Sequence, residues 1–409
     1  MKYKKKVIYF SYEYYCHYGA RTHARSFFKA LSEHSLVSDA TIFPTCNPEK
    51  TETNININSV FRKPFTLTNL ILVPLKKILK LIIPKFIKVQ IKYICPSFEI
   101  YRAFVSEVEK QKPDVLVLRI GNKFRYIKLL RRKFPHIKIC IEFNSTDFDE
   151  IRDRILGRDY WRHEEARQLS YADSICTVSQ YLRNYLISLN PSLASKTFVN
   201  HNGVDPNIFK PANIIMGSNI RIKMGIPSDA VVFGYIGGME SFRQLPRVVA
   251  QFAGMKRTGM DRIFLLLIGT GQDIDEVLHI IEKESVDLTN WVYCSQTWIK
   301  HEQVPAYISV FDVAIFPYSN PYGSPQKIFE YLSSAIPVIG PDVPAVTEIF
   351  DENILPFLIK QDGSNFEQVF KYVYENYKEC KELAHRGRDL VQREYTWQAN
   401  ASRTLRSLE

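Results

Sequence analysis

The chain has 409 residues, with 45% hydrophobic and 24% charged, an ordinary globular composition that excludes a chiefly disordered, collagen-like or disulfide-scaffold protein. At roughly 100–200 residues per domain, this length predicts two domains or three. The 54 basic residues against 43 acidic leave a net charge of +11, which points to a polyanionic partner: nucleic acid, anionic lipid or a phosphorylated substrate.

The seven cysteines are odd in number and form no Cys-x-x-Cys, which predicts a reducing cytosol and argues against a cysteine zinc site. The opening MKYKKKVIYFSYEYY is basic and then apolar, but Glu13 and His17 interrupt it, so residues 6–11 read as a first strand and not as a leader. Residues 23–33 have helical spacing. Strand-like runs follow at 39–44, 113–120, 136–143 and 174–179, with a basic helix from Lys123 to Phe134. Continuous apolar strands alternating with helices predict a parallel sheet covered on both faces.

Asn202-Gly203 and Asp205-Pro206 are turn chemistry. The strand-poor stretch 210–229 follows and marks the domain boundary, with the first domain counted to 205 and the second from 206. The alternation restarts at 231–236 with Gly237-Gly238 and a helix to about residue 254, then 263–269, 312–318 and 337–340. The whole reads as two doubly wound α/β domains in tandem.

Residues 53–98 stand apart, with no Asp or Glu and eight basic residues. Ile71, Leu75, Ile78 and Ile82 fall on one helical face and Lys76, Lys77 and Lys80 on the other. The segment 60–94 therefore reads as a basic amphipathic element for an anionic membrane surface. Its aromatics are not interleaved with the basic run as a base-stacking platform requires, which disfavours nucleic acid as the partner.

The most informative stretch is YSNPYGSPQKIFEYLSSAIPVIGP, residues 318–341. Ser324 reads as a helix N-cap and Pro325 as the first helical residue, so backbone amides and Lys327 would face an anion, while Glu330 suits a pair of sugar hydroxyls. Asp273-x-Asp275 opens a helix and reads as N-terminal capping.

The pattern Ser-Pro-x-Lys-x-x-Glu-Tyr resembles the nucleotide-sugar motif of GT4-type retaining glycosyltransferases, which have the GT-B fold. Other stretches agree in order: YGARTHARSFFKAL around Gly19 and His23, ADSICTVSQYL (172–182), NGVDPNIFKP (202–211), GYIGGMESFRQL (234–245) and EYTWQANASRTL (394–405). The least similar part is residues 45–100.

The resemblance implies two Rossmann-like domains facing a central cleft, an acceptor-side domain (1–205), a nucleotide-sugar domain (206–390) and a closing helix (391–409) that returns to the first. It implies transfer of a sugar from a UDP- or GDP-linked donor to a glycan or lipid-linked acceptor, in surface polysaccharide or glycolipid synthesis, without metal or other cofactor, and the basic segment 60–94 adds the expectation of a place on the inner face of the cell membrane. Carried over residue by residue, the resemblance gives Glu330 the ribose, and Arg243, Lys327 and the Gly19 and Gly237-Gly238 turns the diphosphate. The loop Tyr322, Gly323, Ser324 and Pro325 would lie along the sugar. His23 would line the cleft, and Asn144 takes the place of a histidine near the reacting carbon. Tyr18, Tyr322 and Asn144 depart from the family pattern, which keeps a second reading open: an inactive relative serving as a membrane-associated assembly subunit.

Overall fold

The structure is a computed structural model and describes residues 4–11, 14, 19–44, 98–119, 126–146, 157–211 and 214–409. The basic segment 60–94 lies outside the described residues. The chain divides into two compact units, Met1–Asn200 with Ala401–Glu409, and His201–Asn400.

In the first unit, strands and helices alternate: β1 (Lys5–Ser11), α1 (Gly19–Ser32), β2 (Val37–Pro44), α2 (Phe98–Gln111), β3 (Val115–Arg119), α3 (Ile127–Lys133), β4 (Lys138–Phe143), α4 (Arg158–Leu169), β5 (Ser174–Thr177), α5 (Gln180–Leu189) and β6 (Thr197–Val199). The strands form one parallel six-stranded sheet in the order β2-β1-β3-β4-β5-β6. All five residues of β3 are buried, as expected of a strand covered on both faces. Helix α5 starts where Ser179 Oγ accepts a hydrogen bond from the Leu182 amide at 3.3 Å, which fixes the serine turn read in the sequence.

The second unit holds α6 (Ile214–Lys223), β7 (Val231–Ile236), α7 (Leu245–Arg257), β8 (Ile263–Ile268), α8 (Ile274–Glu284), β9 (Val292–Cys294), α9 (Val304–Ile308), β10 (Val313–Ile315), α10 (Gln326–Ser333), β11 (Val338–Pro341), α11 (Pro344–Thr347), β12 (Leu358–Ile359), α12 (Phe366–Glu375) and α13 (Tyr377–Glu394). A last helix, α14 (Trp397–Arg406), begins in this unit and ends in the first. The strand order is β12-β11-β10-β7-β8-β9, all parallel. Counted within the unit, that is the doubly wound order of dinucleotide-binding sheets, and it reverses between β7 and β10. In open α/β sheets, ligands bind outside the carboxyl ends of the strands at such a reversal.

The units divide at 200/201, five residues before the boundary read from the sequence. Asn200 bonds within the first unit, donating to Thr404 Oγ1 (3.0 Å) and accepting from Arg403 Nε (2.8 Å). The His201 carbonyl bonds within the second, accepting from Asn400 Nδ2 at 2.6 Å. Residues 214–223 of the strand-poor stretch form helix α6 of the second unit.

Ala335 ends α10 in the left-handed region, at φ 56°, where glycine is favoured. Its neighbours close the helix, Ile336 N donating to Tyr331 O at 3.1 Å. Ala335→Gly is expected to stabilise the second unit by about 1 kcal/mol, because it removes the Cβ penalty of that backbone. A raised urea midpoint with unchanged slope is the check.

Candidate functional site

Strand β7 runs into Gly237-Gly238 at the reversal. Gly237 N donates to Ile268 O at 3.0 Å, and the Tyr235 hydroxyl donates to Gly238 O at 2.5 Å. Burial pushes the Tyr235 phenol up to about 12, so it stays a donor. The turn after β8, Gly269-Thr270-Gly271, interlocks with this one. Met239 N donates to Thr270 O at 3.1 Å, and a Cβ on Gly271 would stand 2.6 Å from Met239 O. Only glycine permits that approach of two main chains. The sequence reading singled out only the Gly237-Gly238 turn. The signal of the second was available in the Gly-x-Gly that directly follows a strand.

Asp273 stands at the N-cap position of α8 but makes no side-chain cap bond. Its carboxylate accepts instead from Ser241 Oγ at 2.8 Å. With Asp275 in the first turn, the pair sits at the start of the helix as read from the sequence, and a hydroxyl from the turn after β7 holds the Asp273 carboxylate.

Two cations come to the same strand ends. Arg243 closes a 3-10 turn, Ser241–Arg243, and its Nη1 donates to Tyr318 O (3.2 Å) and Ser319 Oγ (2.9 Å) in the loop after β10. Its guanidinium lies 4.0 Å from the Phe316 ring centroid and 4.5 Å from that of Phe242. Burial lowers its pKa, but an arginine keeps its charge in proteins, and these bonds use only uncharged oxygens.

Lys327 is the second cation. Its Cε is 3.7 Å from where a Cβ on Gly237 would stand, which brings the side chain to the glycine turn. Lys327 Nζ pairs with Glu330 Oε2 at 2.8 Å, and Gln326 Nε2 donates to Glu330 Oε1 at 3.1 Å. The Glu330 side chain is 1% exposed. Burial alone would raise its pKa, but Lys327 and His301 outweigh that and hold the carboxyl down at about 2.

Ser324 is not the cap of α10. The helix begins at Gln326 with Pro325 in the N-cap position and no side-chain cap. Ser324 Oγ accepts from Asn202 N (2.9 Å), and its carbonyl accepts from Asn202 Nδ2 (3.2 Å). The hydroxyl is thus taken by the Asn-Gly-Val-Asp turn, 122 residues earlier in the chain. Gly203 of that turn has its own constraint, since a Cβ there would lie 2.7 Å from Thr396 C and Trp397 N. In the loop before α10, Gly323 N donates to Asn320 Oδ1 at 2.7 Å, and Tyr322 is partly buried beside it.

The remaining expected residues belong to the first unit. Gly19 opens α1. His23 is buried, with Nε2 3.3 Å from Glu142 Oε1. Glu142 also accepts from the Tyr9 hydroxyl at 2.8 Å, with Arg119 3.9 Å away. Burial would raise its pKa, but His23, Arg119 and Tyr9 together hold it below the usual carboxylate range. This cluster escaped the sequence reading, although a glutamate inside the apolar run KICIEF was its signal. Asn144 follows β4, and its Oδ1 is buried without a hydrogen-bond partner among the described residues.

Residues 267–406 match the family model described as Glycosyl transferase-like. TuaH of Bacillus subtilis (strain 168), named for teichuronic acid biosynthesis, is 24% identical over 258 residues, covering 61% of this chain and 60% of that relative. HepE of Anabaena, solved in complex with UDP-glucose, superposes with a TM-score of 0.69 at 12% identity over 99% of both chains. Sucrose-phosphate synthase of Thermosynechococcus elongatus gives 0.72 at 16% identity over 98% of both. The chain thus has the GT-B fold, and its residues 267–406 are similar to the glycosyl transferase-like family.

Proposed function

We propose that the chain is a retaining glycosyltransferase that moves a sugar from a nucleoside diphosphate to an acceptor hydroxyl, in the synthesis of a cell-surface polysaccharide or glycolipid. One observation carries this reading. At the reversal point of the second sheet, the Gly237-Gly238 turn, the Arg243 guanidinium and the Lys327 side chain come to the ends of β7 and β10. A diphosphate there would meet the glycine turn and two positive charges. As the sugar leaves, negative charge builds on that diphosphate, and groups already in position stabilise it, usually the largest catalytic contribution. Asn144, whose Oδ1 has no hydrogen-bond partner among the described residues, is proposed as a catalytic residue on the family resemblance. Retention of configuration rests on the family resemblance.

UDP-glucose bound to HepE and the biosynthetic role in the name of TuaH support a UDP-linked donor and a polysaccharide product. Peripheral attachment to an anionic membrane face is proposed from the basic segment 60–94. Among the described residues no helix is long and apolar enough to cross a membrane.

The test begins with thermal denaturation of the full chain in UDP, GDP and ADP. A nucleotide at 100 times its dissociation constant should add about 2.7 kcal/mol. The matching nucleotide sugars are then assayed for nucleotide release, with and without EDTA. Release that needs an acceptor and survives EDTA is expected, because Arg243 and Lys327 are proposed to take the charge a metal would otherwise carry. Binding without release would favour the inactive assembly subunit, and no binding would end the reading.

A further inference from the structure

His301 has no part in the mechanism above. It sits on the 3-10 turn His301–Gln303, and its ring meets Phe209 edge-on, with centroids 5.6 Å apart. Phe209 is the phenylalanine of the Asn-Gly-Val-Asp-x-x-x-Phe motif, and its carbonyl accepts from Ser333 Oγ at 2.5 Å, which ties this support to the end of α10. The imidazole is therefore braced from behind. Its Nε2 is buried with no hydrogen-bond partner among the described residues, and it stands 4.0 Å from Glu330 Oε1.

An unpartnered buried polar atom is uncommon and costs free energy, so it calls for an explanation. Packing on Phe209 accounts for the ring but not for the nitrogen aimed at a carboxylate. Glu330 Oε2 takes Lys327, and Oε1 takes Gln326, which leaves a second lone-pair position on Oε1. Two such atoms 4.0 Å apart are too far for a direct hydrogen bond, but one oxygen can lie within ordinary hydrogen-bond distance of both. A hydroxyl fits best: it donates to the carboxylate and accepts from Nε2–H.

Resting on the nucleotide-sugar reading, we infer that His301 is a further binding residue of the donor site, which grips one ribose hydroxyl between its Nε2 and Glu330 Oε1. The Gln326 amide, on the first residue of α10 and partly exposed, turns aside to admit the hydroxyl. The site therefore selects ribonucleotides over their deoxy forms, and that selectivity passes through His301.

The experiment is calorimetric titration of the full chain with UDP and GDP and with the 2′-deoxy and 3′-deoxy forms of each. The native chain should prefer the ribonucleotide over one deoxy form by about tenfold, the weight of one such hydrogen bond. In His301→Phe that preference should shrink to the part Glu330 alone supplies, with the affinity of the deoxy form itself unchanged. His301→Gln, whose amide nitrogen reaches the position of Nε2, should restore most of the preference. Comparing hydroxyl forms within one variant cancels any general loss of folded protein. A preference that persists undiminished in His301→Phe, or is absent from the native chain, overturns the assignment and leaves the nucleotide-sugar reading standing. No binding of either nucleotide overturns both.

Discussion

The stability gap between the native chain and Glu330→Gln is expected to be widest near neutral pH and to close as the pH falls from 4.5 to 2. The folded carboxyl titrates at about 2 against an ordinary value of 4.5. A depressed carboxyl contributes stability that is fully present above the unfolded pKa and is lost as pH falls through the folded one. A displacement of that size is worth roughly 3 kcal/mol, among the larger effects available to a single side chain. The glutamine variant has no such titration. It leaves the Lys327 ammonium facing a neutral amide, so it starts lower and declines less steeply in acid. Urea denaturation followed by tryptophan fluorescence reports this directly, because Trp291, Trp298 and Trp397 of the four tryptophans lie in the second unit. A gap that stays constant down to pH 2 would mean that the buried carboxylate is not held by Lys327 and His301.

Arg243→Met should weaken binding of UDP by about 100-fold, at the upper end of what a charge-assisted contact contributes. The guanidinium carbon lies over the Phe316 and Phe242 rings, with hydrogen bonds to Tyr318 O and Ser319 Oγ, so its charge is already positioned when a diphosphate arrives. Methionine keeps the apolar contact and removes the charge. Arg243→Lys should recover only part of the affinity, because a compact ammonium lacks the planar guanidinium that lies over the rings. Uridine, which has no phosphates, should bind the native chain and Arg243→Met alike. Equal UDP affinity in the native and Met chains would place the diphosphate elsewhere and remove the main support for the donor site.

Much of this site was legible in the sequence because its signals are local. Gly237-Gly238 directly follows an apolar strand, and Lys327 and Glu330 are one helical turn apart, so their pairing follows from spacing alone. Arg243, on the turn between those glycines and α7, was singled out by the family resemblance and not by local chemistry. His23 shows the limit. Its place on α1 was readable, but its partner Glu142 is 119 residues away, and the pairing depends on how α1 crosses β4.

By itself, the sequence determined the alternation of buried strands and helices, hence two parallel doubly wound sheets. Strands with an apolar residue at nearly every position, separated by amphipathic helices, have no other good way to bury both faces. It also determined the glycine positions and the charge at the end of β7. The tertiary structure decided which partner each polar group takes. Ser324 could cap a helix by local rules, but the Asn202 main chain reaches it first. Gly271 is needed because the backbone of Met239 passes it, and His301 faces Glu330 because Phe209 braces its ring. A hydrogen bond or a backbone contact acts over about 3 Å. Residues thirty to more than a hundred positions apart meet at that range only once the sheets have set the ends of their strands side by side.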